Sequence, residues 1–178
     1  MTPTDSDEYT ALRATIRERG TTRVWIVLVG TLAWAAAALA TATAALPPLL
    51  TLIPLLVLAT TFEITLALHT GVERVGRYIQ VFFEEPSGNA RWEHRIMEFG
   101  RSGKRRVSTD PVFARSFLIG VVLNLVTVLV SGPIAIEWAV LGVAHALLVL
   151  RIVIARREAA GQRAADLARF QEIKDRRT

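Results

Sequence analysis

Four stretches of the chain are almost wholly apolar: residues 24–46 (VWIVLVGTLAWAAAALATATAAL), 49–70, 113–131 and 134–154. A helix rises about 1.5 Å per residue and the hydrocarbon core of a bilayer is about 30 Å thick, so roughly 20 apolar residues cross it. Each stretch meets that length. In lipid every backbone N–H and C=O must find a partner within the chain, so the stretches are predicted to be helices. The sequences between them are rich in helix breakers. Leu46-Pro47-Pro48 separates the first pair and Ser131-Gly132-Pro133 the second, which predicts two tight transmembrane hairpins. Pro54, one turn into the second span, is expected to kink it. Thr109-Asp110 followed by Pro111 is expected to cap the third.

The polar positions then give an orientation. Lys and Arg favour cytoplasmic loops. All 21 basic residues precede the first span, lie between the second and third, open the third (Arg115), or fall at or after Arg151. Neither hairpin turn holds one. The expected topology is four spans with both termini and the central loop in the cytoplasm. The segment before the first span carries Asp5, Asp7, Glu8 and Glu18, unlike the short basic start of a signal peptide, so the first span is read as retained.

The expected fold is therefore an all-α integral membrane protein with five parts. Residues 1–23 form an amphipathic N-terminal segment, 24–71 and 113–155 the two hairpins, 72–112 a cytoplasmic loop, and 156–178 a C-terminal helix. Within the loop, Val72, Val75, Ile79, Phe82 and Phe83 fall at helical spacing and extend the second span. A turn at Pro86-Ser87-Gly88-Asn89 and a short return helix through Trp92, Ile96 and Phe99 would complete a helical hairpin. The tail stripe Ala164, Leu167, Phe170 and Ile173 is expected to extend the fourth helix and to pair with the N-terminal stripe Tyr9, Leu12 and Ile16, or to form a coiled coil.

Charge and composition narrow the chemistry. The chain has no Cys, which excludes disulfides, thiol catalysis and thiolate metal sites. Arg101, Lys104, Arg105, Arg106, Arg151, Arg156 and Arg157 border the spans and are expected to meet anionic lipid headgroups, at about 1 kcal/mol per charge. Because the basic residues hug the bilayer instead of forming a face with stacking aromatics, nucleic acid is not an expected partner despite a pI near 10.6. Arginine outnumbers lysine 19 to 2 and Ala and Val are abundant, a bias that points to a GC-rich bacterial source and an inner-membrane location.

Ionisable groups within a span cost about 2.5–3.5 kcal/mol each on insertion scales and so mark candidate sites. Depth arithmetic at about 1.5 Å per residue puts Glu63, Asn124 and His145 near mid-membrane, where they are expected to form one polar cluster. Glu137 falls near the outer boundary. His69, Glu73 and Arg77, spaced four apart, form a second group at the inner boundary. Two His and two Glu at different depths do not make a transition-metal ligand set, and neither a phosphate-binding glycine loop nor a hydrolase nucleophile motif occurs. No metal, cofactor or catalytic residue is expected. Gly30, Ala33, Ala37 and Ala44 on the first span, and Ala139, Gly142 and Ala146 on the fourth, are faces for close helix approach within the monomer or in a homo-oligomer.

Three functions fit these features. The leading expectation is a membrane anchor or regulatory protein presenting its cytoplasmic loop and tail to a protein partner. The alternative is an oligomeric proton or cation conductor using Glu63 and His145. The third is an enzyme acting on a lipid headgroup through His69, Glu73 and Arg77.

Overall fold

The computed structural model describes residues 3–44, 46–84, 92, 95 and 112–176, and these are helical apart from short turns. Helix α1 runs Pro3–Thr43, α2 Leu52–Ile79, α3 Ala114–Ser131 and α4 Ala135–Asp175. A 3₁₀ turn, Pro48–Thr51, leads into α2, and a π turn, Gln80–Glu84, follows it. Four helical segments are long and apolar enough to cross a membrane: Asp5–Thr43, Pro48–Glu84, Ala114–Ser131 and Ala135–Ala159.

The chain divides into two compact units, Arg23–Ala67 with Asp110–Arg157, and Met1–Thr22 with Leu68–Thr109 and Glu158–Thr178. They are called here the apolar and the polar unit.

In the apolar unit three helices share a core at helical period. Thr51, Leu55, Leu58, Phe62 and Thr65 form the buried face that α2 and its leading turn present. Phe117, Val121, Asn124 and Val128 do the same for α3, and Leu141, His145, Leu148, Ile152 and Ala155 for α4. Phe62 and Phe117 meet edge to face at 5.3 Å. Helix α1 is attached more loosely, with 11% of its most apolar window buried against 39%, 39% and 28% for the other three. It approaches α2 closely at Gly30, where a Cβ would stand 2.3 Å from the Thr61 side chain. Most other large apolar residues, such as Leu32, Leu39, Leu56, Val122, Leu129 and Val143, face outward. A surface this apolar needs an apolar solvent.

The helix ends follow local chemistry. Helix α1 stops at Thr43, ahead of the Pro47-Pro48 pair that cannot continue it. Pro54 is the third residue of α2, which follows directly on the 3₁₀ turn, so it lies about one turn into the helical segment Pro48–Glu84, at the position expected. The cap of α3 differs from expectation: Phe113 takes it in the left-handed region (φ 55°), not Thr109-Asp110. Gly132 ends α3 at φ 63° and donates its N–H to Leu129 O. That is the conformation a C-terminal glycine allows. Glu137 reaches back to accept the N–H of Ile134 at 3.0 Å, half of a capping box for α4.

In the polar unit the start of α1, the end of α2 and the end of α4 meet through rings and charges. Tyr78 packs against Phe82, Phe83 and Phe170, and Tyr9 against Phe83. One ring of each stripe thus packs on the extension of α2, Tyr9 on Phe83 and Phe170 on Tyr78 and Phe82. That extension carries three aromatic rings within six residues, a large apolar surface for both. The return helix expected through Trp92, Ile96 and Phe99 lies outside the described residues except for Trp92 and Arg95, both helical and exposed.

Candidate functional site

Asn124 is the centre of the buried polar chemistry in the apolar unit. It is fully buried, as is Thr51 to within 1%. The Trp34 indole N–H of α1 donates to Asn124 Oδ1 at 3.3 Å. Asn124 Nδ2 donates to Thr51 O at 3.3 Å and lies 3.1 Å from His145 Nε2. His145 Nδ1 lies 2.7 Å from Leu141 O. A carbonyl oxygen only accepts, so Nδ1 carries the proton. The Asn124 amide only donates through its nitrogen, so Nε2 offers a lone pair. The two contacts together specify the neutral Nδ1–H imidazole. One residue from each of α1, α3 and α4, and the turn before α2, are tied together in this way.

The structure brings Asn124 and His145 together and does not bring Glu63 to them. Equal depth does not fix the direction a side chain faces. Glu63 follows Phe62, the centre of the buried face, and each residue turns a helix by about 100°. On α4, Arg151 precedes the buried Ile152 by the same step. Both therefore leave the core together, and Arg151 Nε lies 2.7 Å from Glu63 Oε1, with the two side chains 40% and 48% exposed. Arg151 therefore pairs with a carboxylate while much of its side chain stays exposed. Arg156 and Arg157 are exposed. Arg101, Lys104, Arg105 and Arg106 lie outside the described residues.

The second expected group belongs to the polar unit. Arg77 Nη2 donates to Glu73 Oε2 at 3.0 Å, and Arg77 Nη1 donates to Asp166 Oδ2 of α4 at 2.6 Å. Arg77 and Asp166 are each 6% exposed. Arg74 Nε stands 4.0 Å from the same Asp166 oxygen. His69 is buried one turn before Glu73. Further along, Arg13 Nη2 lies 3.7 Å from the buried Glu84 Oε1, and Lys174 Nζ donates to Val81 O at 3.1 Å within the π turn. The result is a mixed polar and aromatic core in which three chain segments are cross-linked by charge.

Sequence reasoning missed Trp34, Thr51 and Asp166. Trp34 had a signal: an indole N–H at mid-span needs an acceptor. Asp166 lay in a charged tail where one carboxylate does not stand out. Among the described residues no group of three His, Cys, Asp or Glu is placed to hold a metal ion. Of the small-residue faces, Gly30 is used against Thr61, while Ala139, Gly142 and Ala146 are exposed.

Four spans and a charged helical remainder define the class as a multi-pass membrane protein in outline. Compared with known proteins, the chain matches no family model, no curated protein and no solved structure.

Proposed function

We propose that the protein is a bacterial inner-membrane anchor of the regulatory or interaction class, with both termini cytoplasmic, that presents its polar unit to a cytoplasmic protein partner. The observation that carries this reading is the contrast between the two units. In the apolar unit the mid-span groups Trp34, Asn124, His145 and Thr51 are bonded to one another, an arrangement suited to holding helices. The polar unit is compact, is built from three segments distant in sequence, and is held by the buried Arg77–Asp166 pair. Glu63 stands beside Arg151 and not beside His145, which leaves the conductor without its proton-exchanging pair.

The test compares wild type with Asp166→Ala, which disrupts the polar unit and leaves the spans unchanged. In-membrane cross-linking should recover one partner in fixed stoichiometry with wild type and lose it with the variant, while both insert equally. Purified wild type in liposomes should carry no proton or cation current. A current abolished by Glu63→Gln would overturn the anchor in favour of the conductor.

A further inference from the structure

We propose that a groove on the apolar unit, between α1 and α3, holds one acyl chain of an anionic phospholipid whose phosphate is bound by Arg23 and Arg115. The groove has a volume of about 270 Å³. Val27, Thr31 and Trp34 form one wall, Ser116, Ile119 and Leu123 the other, and Leu58 the floor. Each wall covers about 10 Å of helix, seven residues at about 1.5 Å. The loose attachment of α1, with 11% of its most apolar window buried, leaves this cleft beside the Gly30 and Trp34 contacts unfilled.

Charge marks one end of the groove. Arg23 lies one turn before Val27 on α1, and Arg115 one turn before Ile119 on α3, so each shares the helix face of a wall residue at i, i+4. Both fall toward the same end, because Val27 and Ser116 open their walls from the side where the basic residues gather. Arg23 is drawn to that end by Phe113, whose ring centroid lies 5.9 Å from its guanidinium carbon. Phe113 holds the backbone at φ 55°, the bend from which α3 and Arg115 start. An apolar slot with two guanidinium groups at one mouth matches a phosphodiester headed by a charge and followed by methylenes. Arginine is also the side chain best shaped for phosphate oxygens.

Charge argues against a second copy as occupant: a parallel copy would bring its own arginines to the same side of the membrane, against Arg23 and Arg115.

The test uses full-length protein in phosphatidylcholine vesicles with trace spin-labelled lipid, reading the motionally restricted fraction by electron spin resonance. Labelled phosphatidylglycerol should be restricted well beyond labelled phosphatidylcholine. Arg115→Gln, at an exposed position, should cut that selectivity about fivefold, the value of one charge near a lipid surface, and Arg23→Gln should do likewise. Ser116→Phe should remove the restricted component by filling the groove, with helicity unchanged. The Arg163→Gln, Arg169→Gln double variant, altering two exposed arginines of the polar unit, should leave selectivity as it was. Equal restriction of the two lipids by wild type overturns the proposal without recourse to any variant. So does a loss with the Arg163, Arg169 variant as large as that with Arg115→Gln, which would mean diffuse attraction. Retained selectivity in Ser116→Phe would place the lipid elsewhere. Cross-linking between copies through Ile119→Cys, with no selective lipid component, would assign the groove to a second copy.

Discussion

Replacing Asn124 with Leu keeps the branched shape and heavy-atom count of the side chain and removes the centre of the buried network. Three contacts go at once: the Trp34 indole bond at 3.3 Å, the bond to Thr51 O at 3.3 Å, and the contact with His145 Nε2 at 3.1 Å. Polar contacts between membrane helices average about 0.6 kcal/mol each, with a maximum near 1.7. The expected loss is therefore about 2 kcal/mol, roughly a 25-fold change in the folded ratio, with a ceiling near 5. The assay is equilibrium unfolding in bicelles by steric trapping, which reads stability under folding conditions. Trp34→Phe alone should cost about 0.6 kcal/mol, and the double variant should cost no more than Asn124→Leu, because the shared bond is lost once. Glu63→Gln should add to Asn124→Leu without coupling, since the two side chains face different ways. A stability unchanged by Asn124→Leu would refute the network as a structural tie. Coupling of 1 kcal/mol or more between Glu63 and Asn124 would refute the separation of Glu63 from the cluster. A second readout is independent of stability: the ¹⁵N shifts of His145 should report a protonated Nδ1 and a bare Nε2.

Three further outcomes follow from single contacts. Gly30→Ala should destabilise the spans by about 1–3 kcal/mol in the same assay, because the new Cβ meets Thr61 at 2.3 Å, and Thr61→Gly should restore part of the loss. Asp166→Ala should cost about 3 kcal/mol within the polar unit by stranding Arg77, with Glu73 offsetting some of the charge; hydrogen exchange should rise in residues 72–84 and not in the spans. Gly132→Ala should cost about 1–2 kcal/mol through its φ of 63°, while Gly132→Asn should cost less, both read by steric trapping.

The spans were legible because lipid leaves the backbone so few choices: a long enough apolar run must be helical, and Pro47, Pro48, Gly132 and Pro133 mark where it stops. The inward faces were not. An amphipathic helix announces its buried side by contrast with its polar side, but α3 and α4 are apolar all round through the spans. Nothing in LNLVTVLVS says which residues meet α4. That is why depth alone grouped Glu63 with Asn124 and His145, and why a turn of about 100° from Phe62 undid it. Where polar contrast returned, in residues 72–84, the extension of α2 could be read from its spacing, and the Glu73–Arg77 pair from its i, i+4 register. Its partner Asp166 could not, because a salt bridge across 89 positions leaves no local trace.

The same lack of contrast bears on α1. A helix in water is held to its bundle by the area it buries, and one with so little buried would fray away. Between helices in lipid that driving force vanishes, and packing and polar bonds decide association. Helix α1 has a tight contact, Gly30 on Thr61, and an interhelical hydrogen bond, Trp34 to Asn124, one turn apart, and it buries Ala38 and Thr41 further along. Trp34→Phe removes the hydrogen bond of this seam that lies beside the groove. If that is how α1 is fixed, Trp34→Phe should raise the mobility of a spin label at Thr31 more than Asn124→Leu raises one at Val143 on α4, whose helix keeps Leu141, Leu148 and Ile152 in the core. Equal mobility changes at the two labels would mean that the Trp34 bond does not fix α1 beside the groove.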